Sequence, residues 1–97
     1  MVMNIQKMMQ QAQAMQSKMQ EELAAMKIEA SAGGGMVTVA MSGAKEVLSV
    51  QIDPACVDAE DVSMLQDLVL AACREASRRV DEAVQQKTAA MLGGMMR

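Results

Sequence analysis

The chain contains no phenylalanine, tyrosine or tryptophan. Without rings it offers no platform for stacking bases and no aromatic anchor for a membrane surface. Histidine is also absent, which removes the usual general base near neutral pH and the commonest metal ligand. Cys56 and Cys73 lack CxxC spacing and further ligands that would complete a zinc site. They are read as buried or half-buried free thiols of a reducing compartment. An excess of positive charge is missing too: 9 Lys and Arg stand against 12 Asp and Glu, for a net charge of −3. Bulk charge therefore gives no sign of a nucleic-acid partner. No apolar run approaches the roughly 20 residues a bilayer needs, and no signal-peptide pattern is visible. No nucleophile, base and orienting group can be assembled, so an enzyme is not expected. The Gly33, Gly34, Gly35 run lacks the Gly-Lys-Ser/Thr ending of a phosphate loop and reads as a turn. Nothing in the sequence calls for a cofactor, a metal or a small-molecule substrate.

What is present is methionine, 13 of them in 97 residues, within a composition that is 52% hydrophobic. That length and balance suit one globular domain over residues 1–97. Met fills irregular gaps where rings would otherwise supply bulk. Ile5, Met8, Met9, Ala12, Met15, Met19, Leu23 and Met26 recur at steps of three and four, which predicts an amphipathic helix over 4–26, with Asn4 as its cap. From 27 to 53 the period changes to two. Ile28, Ala30 and Ala32 share one face, then Val37, Val39 and Met41, then Leu48, Val50 and Ile52, with glycine-bearing turns between the runs. These are three antiparallel strands in a meander, and Pro54 closes it. A second helical stripe, Val62, Leu65, Val69, Ala72, Ala76, Val80 and Ala83, predicts a helix over 60–92, capped by Asp58 or Asp61 with Glu60 in its first turn. Gly93 and Gly94 are its expected stop and 93–97 a frayed tail. The fold class is α+β, in the order α-β-β-β-α.

Lengths then constrain the assembly. The second helix, at roughly 50 Å, is about twice as long as strands of six or seven residues. Its first half, to about Cys73, is expected to cover the sheet and its second half to overhang beside the first helix. The Met stripe and the open sheet face exceed what one such chain hides, which points to a homodimer. Met15, Met19, Leu23, Val39, Met41 and Val50 are the expected interface. The acids gather where the helices meet the sheet, and Lys7, Lys18, Arg74, Arg78, Arg79 and Lys87 are expected on the far portions as phosphate contacts. A Met-lined helical adaptor that binds proteins without touching DNA is the alternative reading.

The order of the pieces resembles the YbaB/EbfC family of bacterial nucleoid-associated proteins. The resemblance is carried by MMQQAQAMQSKMQEEL at 8–23, GGGMVTV at 33–39, Ser42-Gly43, VQIDP at 50–54, EDVSMLQDL at 60–68 and Ala71-Ala72. It implies a cytoplasmic, nucleoid-associated homodimer whose helices project like tweezer arms and bind double-stranded DNA with little sequence preference. Three departures stand out: Ser42 where the family commonly has Asn, Cys73 where it often has an aromatic, and a shorter tail after Gly94. The first two are expected to alter packing more than function, and the third to bear on DNA affinity.

Overall fold

The computed structural model describes residues 4–95 and has the expected order of elements: α1 (Ile5–Ala25), β1 (Lys27–Ala32), β2 (Val37–Ser42), β3 (Val47–Ile52), a short 3-10 turn (Pro54–Cys56) and α2 (Val62–Met95). The strands form one antiparallel sheet in the order β1-β2-β3. In register, Ala30 faces Val39 and Val39 faces Val50, while Ala32, Val37 and Ile52 form the neighbouring row. The alternation in sequence thus becomes one apolar face, as a period of two requires. A bulge between Ala40 and Met41 sets Met41 opposite Val47 and leaves Leu48 as the extra residue.

Each helix begins where local chemistry allows. The Asn4 side chain accepts a hydrogen bond from the Lys7 N–H, satisfying one orphan donor of the first turn. Asp61 does the same for Met64, so α2 starts at Val62, and Glu60 lies ahead of the helix instead of in its first turn. The Asp58 carboxylate instead accepts from the Glu60 N–H in a local turn. At the other end α2 runs on through Gly93 and Gly94 to Met95. The expected stop fails because glycine in a helix costs only about 1 kcal/mol relative to alanine and does not force termination. Of the expected tail, Met96 and Arg97 lie outside the described residues.

The core lies between α2 and the first two strands. Ala30, Val37, Val39 and Met41 from the sheet meet Ala72, Ala76 and Val80 from α2, with Cys56 closing one end. Cys56 is buried and Cys73 half-buried, both as free thiols. Residues 65–80 supply the covering face, so the helix stays on the sheet past Cys73. Sixteen helical residues span about 24 Å, close to the length of a six-residue strand plus its turns. Val62 and Met64, in the first turn of α2, are exposed and lie ahead of the covering stretch.

Turns lock the two ends. Gly33 has a φ of 64°, a left-handed backbone that favours glycine, and a Cβ there would also come within 2.7 Å of Leu68 Cδ2, so that side chain would have to turn aside. At the second turn the Gly43 N–H donates to the Leu23 carbonyl at 2.9 Å, docking the end of α1 against the sheet. The buried Ser42 hydroxyl accepts from the Ala44 and Glu46 N–H groups, the turn-forming role that an Asn side chain also performs. Lys45 adopts a left-handed φ of 65° and pairs with Asp81 at 2.7 Å, tying this turn to α2.

The result is a rod. The chain measures 74 × 24 × 16 Å with a radius of gyration of 19.4 Å, where a compact domain of this length would have about 13 Å.

Candidate nucleic-acid and subunit interface

The basic residues fall into two groups by what they touch. Lys7, Lys18 and Arg74 are exposed and, among the described residues, enter no ion pair. Arg78, Arg79 and Lys87 are engaged. Arg78 reaches Glu75 and Glu82 along α2, at i−3 and i+4. The Arg79 Nε donates to the same Glu75, and its Nη1 donates to the Glu29 carbonyl on β1 at 3.0 Å. Lys87 meets Glu22 of α1 at 3.3 Å, which puts the overhang of α2 beside the end of α1. The two arginines hold the Glu75 carboxyl down at about 2, Arg78 contributing more than Arg79. Glu75 in return raises Arg78 further above its usual range.

Position also differs from expectation. Because α2 covers the sheet as far as Val80, Arg74, Arg78 and Arg79 stand above the platform, and of the α2 cations expected on the far portion only Lys87 is on the overhang. Arg74 and Arg78 are one turn apart on the helix face turned away from the sheet, since each follows a buried alanine by two residues. Arg79 flanks the β1 edge. Lys7 stands in the first turns of α1, and Lys18 two turns before its end.

The apolar surfaces are distributed as unevenly. No α1 residue is buried, and Ile5, Met8, Met9 and Met15 are all exposed. β3 is exposed along its whole length. Its Ile52 and the α2 residues Leu65, Val69, Leu70 and Cys73 line an open groove of about 440 Å³ with almost no polar atoms. Of the six residues expected at an interface, Met15 and Val50 are exposed and Met19 and Leu23 half-buried. Val39 and Met41 are 0% and 6% exposed and lie in the core beneath α2. Leu70 was not anticipated, although an isolated leucine off the buried stripe of α2 is its sequence signal. Among the described residues no group of three or more Cys, Asp or Glu could hold a metal ion. Among them, too, no helix is long and apolar enough to cross a membrane.

Comparison with known proteins gives a consistent answer over the same elements. Residues 1–95 match the profile of the YbaB/EbfC DNA-binding family. A nucleoid-associated protein of Koribacter versatilis is 51% identical, over 95% of this chain and 91% of its own. One from Chloroflexus aurantiacus is 47% identical over 96% of both. The crystal structure of an uncharacterized Helicobacter pylori protein superposes with a TM-score of 0.77 at 23% identity, covering 94% of this chain and 99% of that one, and so shares the fold.

Proposed function

The chain belongs to the YbaB/EbfC DNA-binding family, and from that premise we propose that it coats or clasps duplex DNA of the bacterial nucleoid as a cytoplasmic homodimer, through phosphate contacts and with little base readout. The observation that carries this reading is the set of exposed cations without an acid partner, Lys7, Lys18 and Arg74. They are the groups that phosphates neutralise without first breaking an ion pair. Arg78 and Lys87 join where a phosphate displaces a carboxylate at the surface, an exchange that costs little because such pairs are weak, and Arg79 joins through the donors left after its bonds to Glu75 and Glu29. The protein carries a net negative charge, so binding depends on these local clusters.

The homodimer is supported by the groove between β3 and α2 and by the uncovered row on α1. A second copy burying Ile52, Val50, Leu70 and Val69 removes the apolar surface of this groove, and Met15, Met19 and Leu23 of α1 offer a second apolar row beyond the β2–β3 end of the sheet. With no aromatic side chain to stack on bases, the reading gives the DNA backbone the main part.

Gel-shift affinity across a salt series tests the proposal. The three cations that are unpaired among the described residues of each chain give at least about six phosphate contacts in a dimer, for a slope of log affinity on log salt of about −5 or steeper. The affinity then falls roughly a thousandfold or more between about 50 and 200 mM salt. An affinity that barely moves over that range would defeat the reading. The exposed Met8, Met9 and Met15 also fit a protein adaptor, and that second reading is favoured if partners captured from lysate survive nuclease treatment while the salt-dependent shift is absent.

A further inference from the structure

The geometry points to a built phosphate contact at the β1 edge, away from the lysines of α1: a notch in which Arg79 and the hydroxyls of Ser31 and Thr38 hold one phosphodiester of the duplex. It rests on the DNA-binding reading above and deepens it. The notch has a volume of about 250 Å³ and is lined by Glu29, Ala30, Ser31, Thr38 and Arg79.

Three observations converge on it. First, the Arg79 guanidinium is already oriented. Its Nε donates to Glu75 at 3.2 Å and its Nη1 to the Glu29 carbonyl at 3.0 Å, across fifty residues of chain. A guanidinium carries five N–H groups, so donors remain after both bonds, and they project in a fixed fork that suits phosphate oxygens. Second, Ser31 and Thr38 are direct cross-strand partners, so their side chains emerge side by side from the face opposite α2. Neither hydroxyl makes a hydrogen bond with any of the described residues. Third, the carboxylates nearby are occupied. Glu29 pairs with Lys27 at 3.5 Å, and Glu75 is shared by Arg78 and Arg79.

The formal charges of Lys27, Glu29, Glu75, Arg78, Arg79 and Glu82 cancel. The notch therefore works by directed donors at short range, whereas Lys7 and Lys18 act as point charges. A tetrahedral phosphodiester can meet a planar fork and two hydroxyls at once, because its two free oxygens point in different directions. The consequence is a different dependence on salt. A neutral hydroxyl releases no counterion, and an arginine does.

The test compares two variants of the full chain with wild type in the same duplex gel shift. The double variant Ser31→Ala, Thr38→Val leaves the Arg79 bonds to Glu75 and Glu29 in place. It is expected to lose about a hundredfold in affinity at every salt concentration with the slope unchanged, as two neutral hydrogen bonds in each copy of the dimer imply. Arg79→Gln is expected to weaken binding and make the slope shallower by about 2, one contact being lost from each copy of the dimer. Wild-type affinity in both variants overturns the notch while leaving the DNA-binding reading intact. Absence of salt-dependent binding by wild type overturns both. Should either variant fail to fold, amide NMR of the wild-type protein decides. Ser31 and Thr38 signals that shift with duplex support the notch. A shift with duplex alone identifies the DNA backbone as the ligand, and a matching shift with inorganic phosphate identifies a general phosphate site. Signals unmoved by either overturn it.

Discussion

At Gly43 a single missing methyl group holds two elements together. A Cβ there would come within 2.5 Å of the Leu23 carbonyl oxygen, a backbone atom that cannot rotate away. Gly43→Ala therefore has to push α1 off the sheet, and a loss of about 1–3 kcal/mol in urea unfolding is expected. Gly34→Ala makes a useful contrast, since a Cβ there meets nothing within 4 Å and the cost is only the left-handed backbone, about 1 kcal/mol. Glu75 is the residue whose ionisation the fold most clearly alters. Its carboxyl sits at about 2 in place of the ordinary 4.5, first through the hydrogen bond from Arg78 and then through that from Arg79. Because the folded value is the lower one, the stabilisation is complete above about 4.5, declines as pH falls through the window and is gone below about 2. Thermal melts of wild type and Glu75→Gln are expected to differ at neutral pH and to converge toward pH 2, with a small gap throughout because the group is partly exposed. The sequence contained the pairing, since Glu75, Arg78 and Arg79 sit three and four apart. It did not contain the bond from Arg79 to the Glu29 carbonyl, which depends on which flank of α2 meets β1.

Among the elements, β3 shows best where periodicity stops being informative. Its Val50 and Ile52 alternate just as Val37 and Val39 do on β2, so the sequence predicts the same face for both, and the register agrees. Burial then separates them: Val39 is 0% exposed and Val50 44%. The cause is lateral. Ala30 and Ala32 on β1, together with Ala72 and Ala76 on α2, are small enough for the helix to settle close over β1 and β2. The bulkier β3 row is left outside. Strand identity and helix period were legible because they depend on local alternation, but the seat of the helix depends on side-chain size summed across two elements. The same limit explains Val39 and Met41, whose apolar character fitted an interface or a core equally. Val39→Ala is expected to cost about 2 kcal/mol of the chain's own stability at any concentration. Val50→Ala should cost less, and its effect should appear chiefly as a change in the concentration dependence of the melting temperature, measured over a tenfold or wider dilution series.

The whole molecule is a rod whose uncovered apolar surface is concentrated on two sides, the α1 stripe and the groove beside β3. A chain with a radius of gyration of 19.4 Å buries too little surface to be expected to stand comfortably alone, since stability scales with the area removed from water. If a second copy supplies the missing burial, a charge placed in the groove should separate the copies without unfolding the platform. Leu70 is the position to use, because it is 48% exposed in the single chain and lines the groove without entering the core. Leu70→Asp is expected to give the mass of one chain in sedimentation equilibrium where wild type gives two, with helical ellipticity largely retained. DNA affinity should fall with it, because the cations of one chain then act without those of its twin, and the salt slope should drop toward half its wild-type value. A variant that keeps the mass of two chains would move the subunit contact away from this groove. One that is monomeric yet binds DNA with an unchanged slope would show that each rod grips phosphate independently.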